Sequence, residues 1–410
     1  MTATKTTTAR PASGTGAKEA AAFSLSPRHT ETQAEAEELA DRFAERHREV
    51  RMHPFEHGEL HPELWQEVVE RGWPGLLIDS TPRSGEGGLL SCVVVMEALA
   101  SRNLVLWMAV LSSSIGYAIA EVGPEGARER WLEPIACGRA LLAVAVTEPK
   151  CGHNVFRSST TVLRDGERFL VNGVKAVTSG IDLADRVLVF GRCAAAEDGA
   201  PAKFTTVLVD PRSPGIERVE LPMRGREGTR QFQLSFSDVE APLDGLVGGE
   251  GEGLLTLWPF THIERLLSAA LAVGNARYCV SRALRHAGER TIFGRRPIGA
   301  EQAIQHPLAA LHARIEATRL LVYRAAERFD AGADTMAVAG EANMAKLLSA
   351  ELLFDAADHA MQTLGAAAWD EREGMIDLYL DARASRSAPI SQELAMNFIA
   401  QHVLGLPAHR

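Results

Sequence analysis

The feature that most constrains this chain is a change of hydrophobic period in its middle. From Val144 the sequence runs through Thr147-Glu148-Pro149 and Gly152 to two segments of strand length, Ser159 to Val162 and Glu167 to Val171. They meet at the turn Asp165-Gly166. A third such stretch, Val171 to Gly180, follows at once. Val187 to Phe190, Phe204 to Val209 and Phe232 to Phe236 are again rich in β-branched and aromatic residues. Asp198-Gly199, Pro211 to Gly215 and Arg224 to Gly228 punctuate them. Outside this block, apolar residues recur at helical spacing.

Strands confined to one block and helices on both sides predict an α+β chain of three units. Residues 31–140 form an N-terminal helical domain, 141–250 a compact middle β-barrel and 251–410 a C-terminal four-helix bundle, with 1–30 as a disordered tail. Ala36, Leu39, Ala40 and Phe43 mark an amphipathic helix within Glu31 to Arg51, and His61-Pro62 starts another that ends at Gly72 to Gly75. Leu90 to Ala100, Ile115 to Val122 and Glu125 to Cys137 complete the first unit. The last unit holds Leu254 to Thr291, Ala303 to Ala331, Met336 to Thr363, and Met375 to Leu404 with a break at Pro389.

Composition narrows the function. A net charge of −10 argues against nucleic acid, whose phosphates need concentrated Lys and Arg. No run is apolar enough to span a membrane, and residues 1–22 lack the apolar core of a secretory signal, so the expectation is a cytoplasmic protein. The five cysteines, Cys92, Cys137, Cys151, Cys193 and Cys279, show no metal-ligand spacing and read as free thiols, with no metal. Gly85 to Gly88 is a turn; as a phosphate loop it would need a strand–GxGxxG–helix frame.

Thr147-Glu148-Pro149, Gly152, Asn172-Gly173-x-Lys175 and Ser179-Gly180 together resemble the acyl-CoA dehydrogenases, and the resemblance extends over nearly the whole chain after residue 30. It implies FAD as cofactor and an acyl thioester on CoA or acyl carrier protein as substrate. It also implies an electron acceptor such as a flavoprotein, and a homotetramer or homodimer. It places Thr147 and Ser179 at the flavin, where hydroxyls can donate or accept; turn hydroxyls bonded to their own backbone are the alternative. Val177 stands where relatives usually carry an aromatic residue, which implies a more open flavin face. His153 replaces a usual Ser beside the substrate and could titrate near neutrality or stay a solvated loop residue.

Arg290 to Phe293, Pro297-Ile298 and Gln302 resemble the segment that reaches the FAD of a neighbouring subunit, with one residue inserted before Pro297. A guanidinium there would fork onto phosphate oxygens; a solvated helix residue is the alternative. Gln362 and Gly365 open a stretch where relatives bring backbone close to the dinucleotide. Two of the three glycines are alanine here, which implies a shifted or weaker FAD contact.

The resemblance puts the usual catalytic Glu at Pro389, counting from Asp381-Ala382-Arg383. Proline supplies neither the carboxylate nor an N–H for the substrate carbonyl. Some relatives carry the Glu on the first bundle helix, directly before an Arg. Glu264 is therefore the candidate base and Arg265 a substrate contact, with a plain helix residue as the alternative reading of Glu264. The base role asks that desolvation raise its pKa, whereas a nearby helix N-terminus pulls the other way.

The implied reaction is α,β-dehydrogenation, with α-proton abstraction and β-hydride transfer to flavin N5. Two alternatives stay open. One is non-standard flavin chemistry (oxidase, monooxygenase or redox-neutral elimination), motivated by Pro389, His153 and Val177. The other is a non-catalytic binding or assembly subunit, motivated by the alanines after Gly365.

Overall fold

The computed structural model describes residues 24–46, 61–78, 87–193, 202–224, 229–292 and 296–408, with the backbone of 55–56 and 59–60. The expected turns at Gly85 to Gly88, Asp198-Gly199 and Arg224 to Gly228 lie wholly or partly outside them.

The first unit comprises α1 (Pro27–Arg46), a short hairpin of β1 (Phe55–Glu56) and β2 (Glu59–Leu60), α2 (Pro62–Glu70), α3 (Leu89–Ala100), α4 (Trp107–Val122) and α5 (Glu125–Ala136). α1 buries Ala36, Leu39, Ala40 and Phe43, the face its spacing announces. It begins at Pro27, so residues 27–30 are helix rather than tail. α3 is buried along its whole length. α4 starts at Trp107, well before Ile115, because Trp107 to Gly116 is buried on every side and carries no polar period to read. α3 lacks a side-chain cap of its own. Asp330, from the last unit of the chain, accepts from Leu89 N (2.7 Å) and Leu90 N (2.9 Å).

The middle unit is one eight-stranded sheet. Its strands are β3 (Leu142–Ala145), β4 (Thr161–Asp165), β5 (Arg168–Ser179), β6 (Arg186–Arg192), β7 (Phe204–Val209), β8 (Ile216–Leu221), β9 (Gln231–Pro242) and β10 (Leu246–Val247). The order is β10-β7-β6-β4-β5-β9-β8, with β3 parallel alongside β6. The expected middle β unit is present as this sheet, and among the described residues no ladder joins β10 to β8 to close it. The β4–β5 hairpin closes at Asp165 opposite Arg168, with Gly166 at φ +61°. Between Lys175 and Thr178 the register of β5 against β9 slips, and Val177 there adopts φ +58°, rare for a β-branched residue.

The last unit contains α6 (Gly253–Glu289), a small hairpin of β11 (Thr291–Ile292) and β12 (Arg296–Pro297), α7 (Gln302–Asp330), α8 (Thr335–Leu364), α9 (Met375–Ser385) and α10 (Gln392–Phe398). α6 packs on α8 and α7 within the bundle and on α3 and α4 of the first unit. Glu97 of α3, wholly buried, joins Arg277 of α6 (2.6 Å) and Arg319 of α7 (3.0 Å), tying the two helical units together. The helix break predicted at Pro389 is the loop between α9 and α10, where the Ser391 hydroxyl accepts from Leu394 N.

No helix among the described residues is long and apolar enough to cross a membrane. No cluster of potential metal ligands occurs among them, and all five cysteines are free.

Candidate active site

The motif residues between β3 and β5 first build a scaffold. Lys175, on β5, sends its ammonium to Glu148 (2.9 Å) and to the Val146 carbonyl (2.9 Å). The Glu148 carboxylate also accepts from the hydroxyls of Ser158 and Ser159 and from the backbone N–H of Ser159 and Thr160. Burial pushes Glu148 up, but the bonds from Lys175, Ser158 and Ser159 outweigh it and hold the carboxyl well below the usual range. Burial pulls Lys175 down, against the opposing attraction of Glu148. Ala176 N bonds the Thr147 carbonyl (2.9 Å). The ends of β3 and β5 are thus locked side by side. Gly180, at φ +62°, has Met108 so close that a Cβ would collide with its sulfur.

Those ends open on a cavity of about 680 Å³. Thr147, Val177 and Ser179 line it from the sheet, and Gly152, His153 and Phe156 from the loop after β3. Across from them, the first turns of α6 contribute Trp258, Thr261, Glu264 and Arg265. The α9–α10 loop adds Ser387, Ala388, Pro389 and Ile390. The Ser179 hydroxyl donates to Gln231 Oε1 (2.8 Å), which fixes its rotamer and leaves its lone pairs free to accept. The Val177 side chain is exposed.

The electrostatics at the α6 wall are set by burial. Desolvation pulls the Arg265 guanidinium down to about 10, with Glu264 as the opposing attraction. His262, on the adjacent flank of α6, is pulled down to about 3 by burial and then by Arg265, and is neutral. Its ring meets Trp258 edge-on, and neither ring nitrogen has a hydrogen-bond partner among the described residues. Burial also lowers His153 below its ordinary value. Lys346 and Arg265 add to that, while the Pro389 backbone opposes it. Lys346, itself buried, donates to the Ser385 carbonyl (2.6 Å) at the end of α9, behind the Pro389 loop.

The structure therefore brings Thr147, Ser179, His153, Glu264, Arg265 and Pro389 to one cavity. Arg290, Gln302, Gln362 and Gly365 do not join them: each is exposed and none lines the cavity. Phe293 lies outside the described residues. Gly365 ends α8 at φ +60°, and the alanines after it form a short 3-10 turn in which Ala366 and Ala367 are exposed. Sequence reasoning did not find the aromatic walls, Trp107, Phe156, Trp258, Phe260 and Phe398. No local signal separates an aromatic residue lining a cavity from one filling a core.

Comparison with known proteins agrees along the chain. The family models for the acyl-CoA dehydrogenase N-terminal, middle and C-terminal domains match residues 30–139, 143–239 and 251–404. Acyl-CoA dehydrogenase FadE12 of Mycobacterium tuberculosis is 37% identical over 348 residues, covering 84% of this chain and 88% of that protein. The 3-(aryl)acrylate reductase of Clostridium sporogenes is 27% identical, covering 84% and 91%. Butyryl-CoA dehydrogenase from Megasphaera elsdenii shares the fold, with a TM-score of 0.83 at 22% identity over 93% of this chain and 100% of that one. The chain belongs to the acyl-CoA dehydrogenase family, FAD-dependent oxidoreductases that act on the CH–CH group of acyl-CoA.

Proposed function

We propose that this chain removes two hydrogens across the α,β bond of an acyl thioester, with Glu264 as the base for the α-proton. The observation that carries the reading is the shared cavity. Glu264 and Arg265 face the same space as the Thr147 and Ser179 strand ends, while the family's other base position is Pro389.

The lining fits FAD's ring system: hydroxyls at two strand ends suit its polar edge, and the aliphatic and aromatic walls suit its faces. When bound, FAD supplies the hydride acceptor. Thr147 and Ser179 would orient it through their hydroxyls. Glu264 would take the α-proton. Arg265 is the one fixed cation lining the cavity among the described residues, and it would face the thioester oxygen as negative charge develops, where Pro389 offers no N–H. His153 would lie beside the thioester or its pantetheine arm. The aromatic walls exclude water from the reacting carbons.

Arg290, Gln302, Gln362 and Gly365 are exposed in one chain. That suits contacts to the FAD of a second copy in a homodimer or homotetramer. The electrons would pass on to an acceptor such as a flavoprotein. The substrate carrier is CoA, with acyl carrier protein as the competing choice.

The test uses the purified flavoprotein and a panel of acyl-CoA and acyl-carrier-protein thioesters under anaerobic conditions. At least one thioester should bleach the flavin, and Glu264→Gln should abolish that bleaching while keeping the visible spectrum. Bleaching at the wild-type rate in Glu264→Gln would refute the assignment.

A further inference from the structure

A base that accepts a proton in an apolar cavity must lose it again before the next turnover. Three titratable side chains line this cavity among the described residues: Glu264, Arg265 and His153. Arg265 stays protonated at neutral pH and cannot carry the proton away. His153 differs from Glu264 in its position. It lines the cavity and is also exposed to solvent, whereas Glu264 is only partly exposed. The loop that carries it, between β3 and β4, is held by the Glu148 ion pair and by Arg192, which donates to the Ser158 (2.6 Å) and Phe156 (2.8 Å) carbonyls. The ring is therefore at a fixed place on the rim.

We infer that His153 relays the abstracted proton from Glu264 to bulk solvent. This rests on Glu264 being the base. In the transfer, the O–H bond of the Glu264 carboxylic acid breaks and an N–H bond forms on the imidazole, directly or across one water. The imidazolium then gives a proton to solvent or buffer and returns to the neutral ring. No electrons move in this step. Neutral imidazole is the form that can accept. Desolvation on the cavity side favours that form most, followed by the cations that face the ring, Lys346 on α8 and Arg265 on α6; the Pro389 backbone opposes it, and Glu264 carries no charge while it holds the proton.

The experiment mixes the holoenzyme with a bleaching acyl-CoA in weak buffer containing a pH-indicator dye, and follows flavin bleaching and proton release together. In the wild type, release should keep pace with bleaching. In His153→Gln and His153→Ser, release should lag bleaching several-fold, and added imidazole should close the lag in a concentration-dependent way while leaving the wild type unchanged. A side chain that only contacts substrate would slow both traces together. Release that keeps pace with bleaching in both variants, or a lag that imidazole does not shorten, overturns the relay. Loss of bleaching in Glu264→Gln with no lag in the His153 variants would sink the relay alone. Unimpaired bleaching in Glu264→Gln would sink the base assignment itself.

Discussion

Lys175 and Glu148 form an ion pair, Nζ to Oε1 at 2.9 Å, with the lysine wholly buried and the glutamate 3% exposed. The pair joins the two motifs that stand out most in the sequence, and it sits directly behind the strand ends that open on the cavity. The charges are compensated: the carboxylate accepts from two hydroxyls and two backbone N–H groups besides the ammonium.

Removing one partner strands the other charge in the interior. Lys175→Met and Glu148→Gln should each destabilise the fold by about 3–5 kcal/mol. The double variant should lose less than the sum, since no charge is left uncompensated. Denaturant unfolding of the single and double variants checks this; additive losses would show that the two side chains act independently.

The same pair sets an acid limit. Glu148 has a folded pKa depressed below its ordinary value, so its contribution is present above the unfolded pKa and is lost as pH falls toward the folded one. Wild-type stability should therefore drop more steeply than that of Glu148→Gln on the acid side of the ordinary carboxylate range. Parallel thermal melts across that range read the difference in slope.

Val177 combines a β-branched side chain with φ +58° and an exposed position at the cavity. Strain of that kind costs about 1–3 kcal/mol, while glycine's added chain entropy costs roughly 0.5–1 kcal/mol. Val177→Gly should thus be neutral or stabilising by about 1 kcal/mol, where an ordinary strand valine would lose stability. A lowered melting temperature would show that the side chain's packing outweighs the strain.

Asp330 reaches from the end of α7 to the first N–H groups of α3. Asp330→Ala should cost about 1 kcal/mol, as the loss of a helix cap does. Amide hydrogen exchange should locate the change: Leu89 and Leu90 should lose protection while the core of α6 keeps it.

On catalysis, Glu264→Gln should lower turnover roughly 100-fold or more if proton abstraction is the step removed. Its affinity for a non-reactive acyl-CoA should stay near that of the parent, because the amide keeps the size of the acid. Steady-state kinetics and a titration with the analogue separate the two effects.

Element type was legible because period is a local property. The first three bundle helices were placed to within a few residues, the fourth segment divides into α9 and α10, and β6 and β7 were placed from their β-branched and aromatic runs. β8 escaped notice: Ile216 to Leu221 is half charged and largely exposed, so an edge strand there carries little apolar signal. The start of α4 was hidden for the opposite reason, full burial. The motif residues were legible as a set, yet only the fold showed that Glu148 and Lys175 serve each other rather than a ligand.

The sequence by itself determined the three-unit order and the helical flanks, since spacing and residue type are written locally, and its resemblance to the family supplied the candidates Thr147, Ser179 and Glu264. Tertiary structure alone decided that, among the described residues, no ladder closes the sheet and that Val177 is strained at φ +58°. It also put Glu264, His153 and Pro389 around one cavity while leaving Arg290, Gln302, Gln362 and Gly365 outside it. Those relations join segments far apart in the chain, and their cost and gain arise only when α6 packs against the sheet's rim and the α9–α10 loop closes beside it.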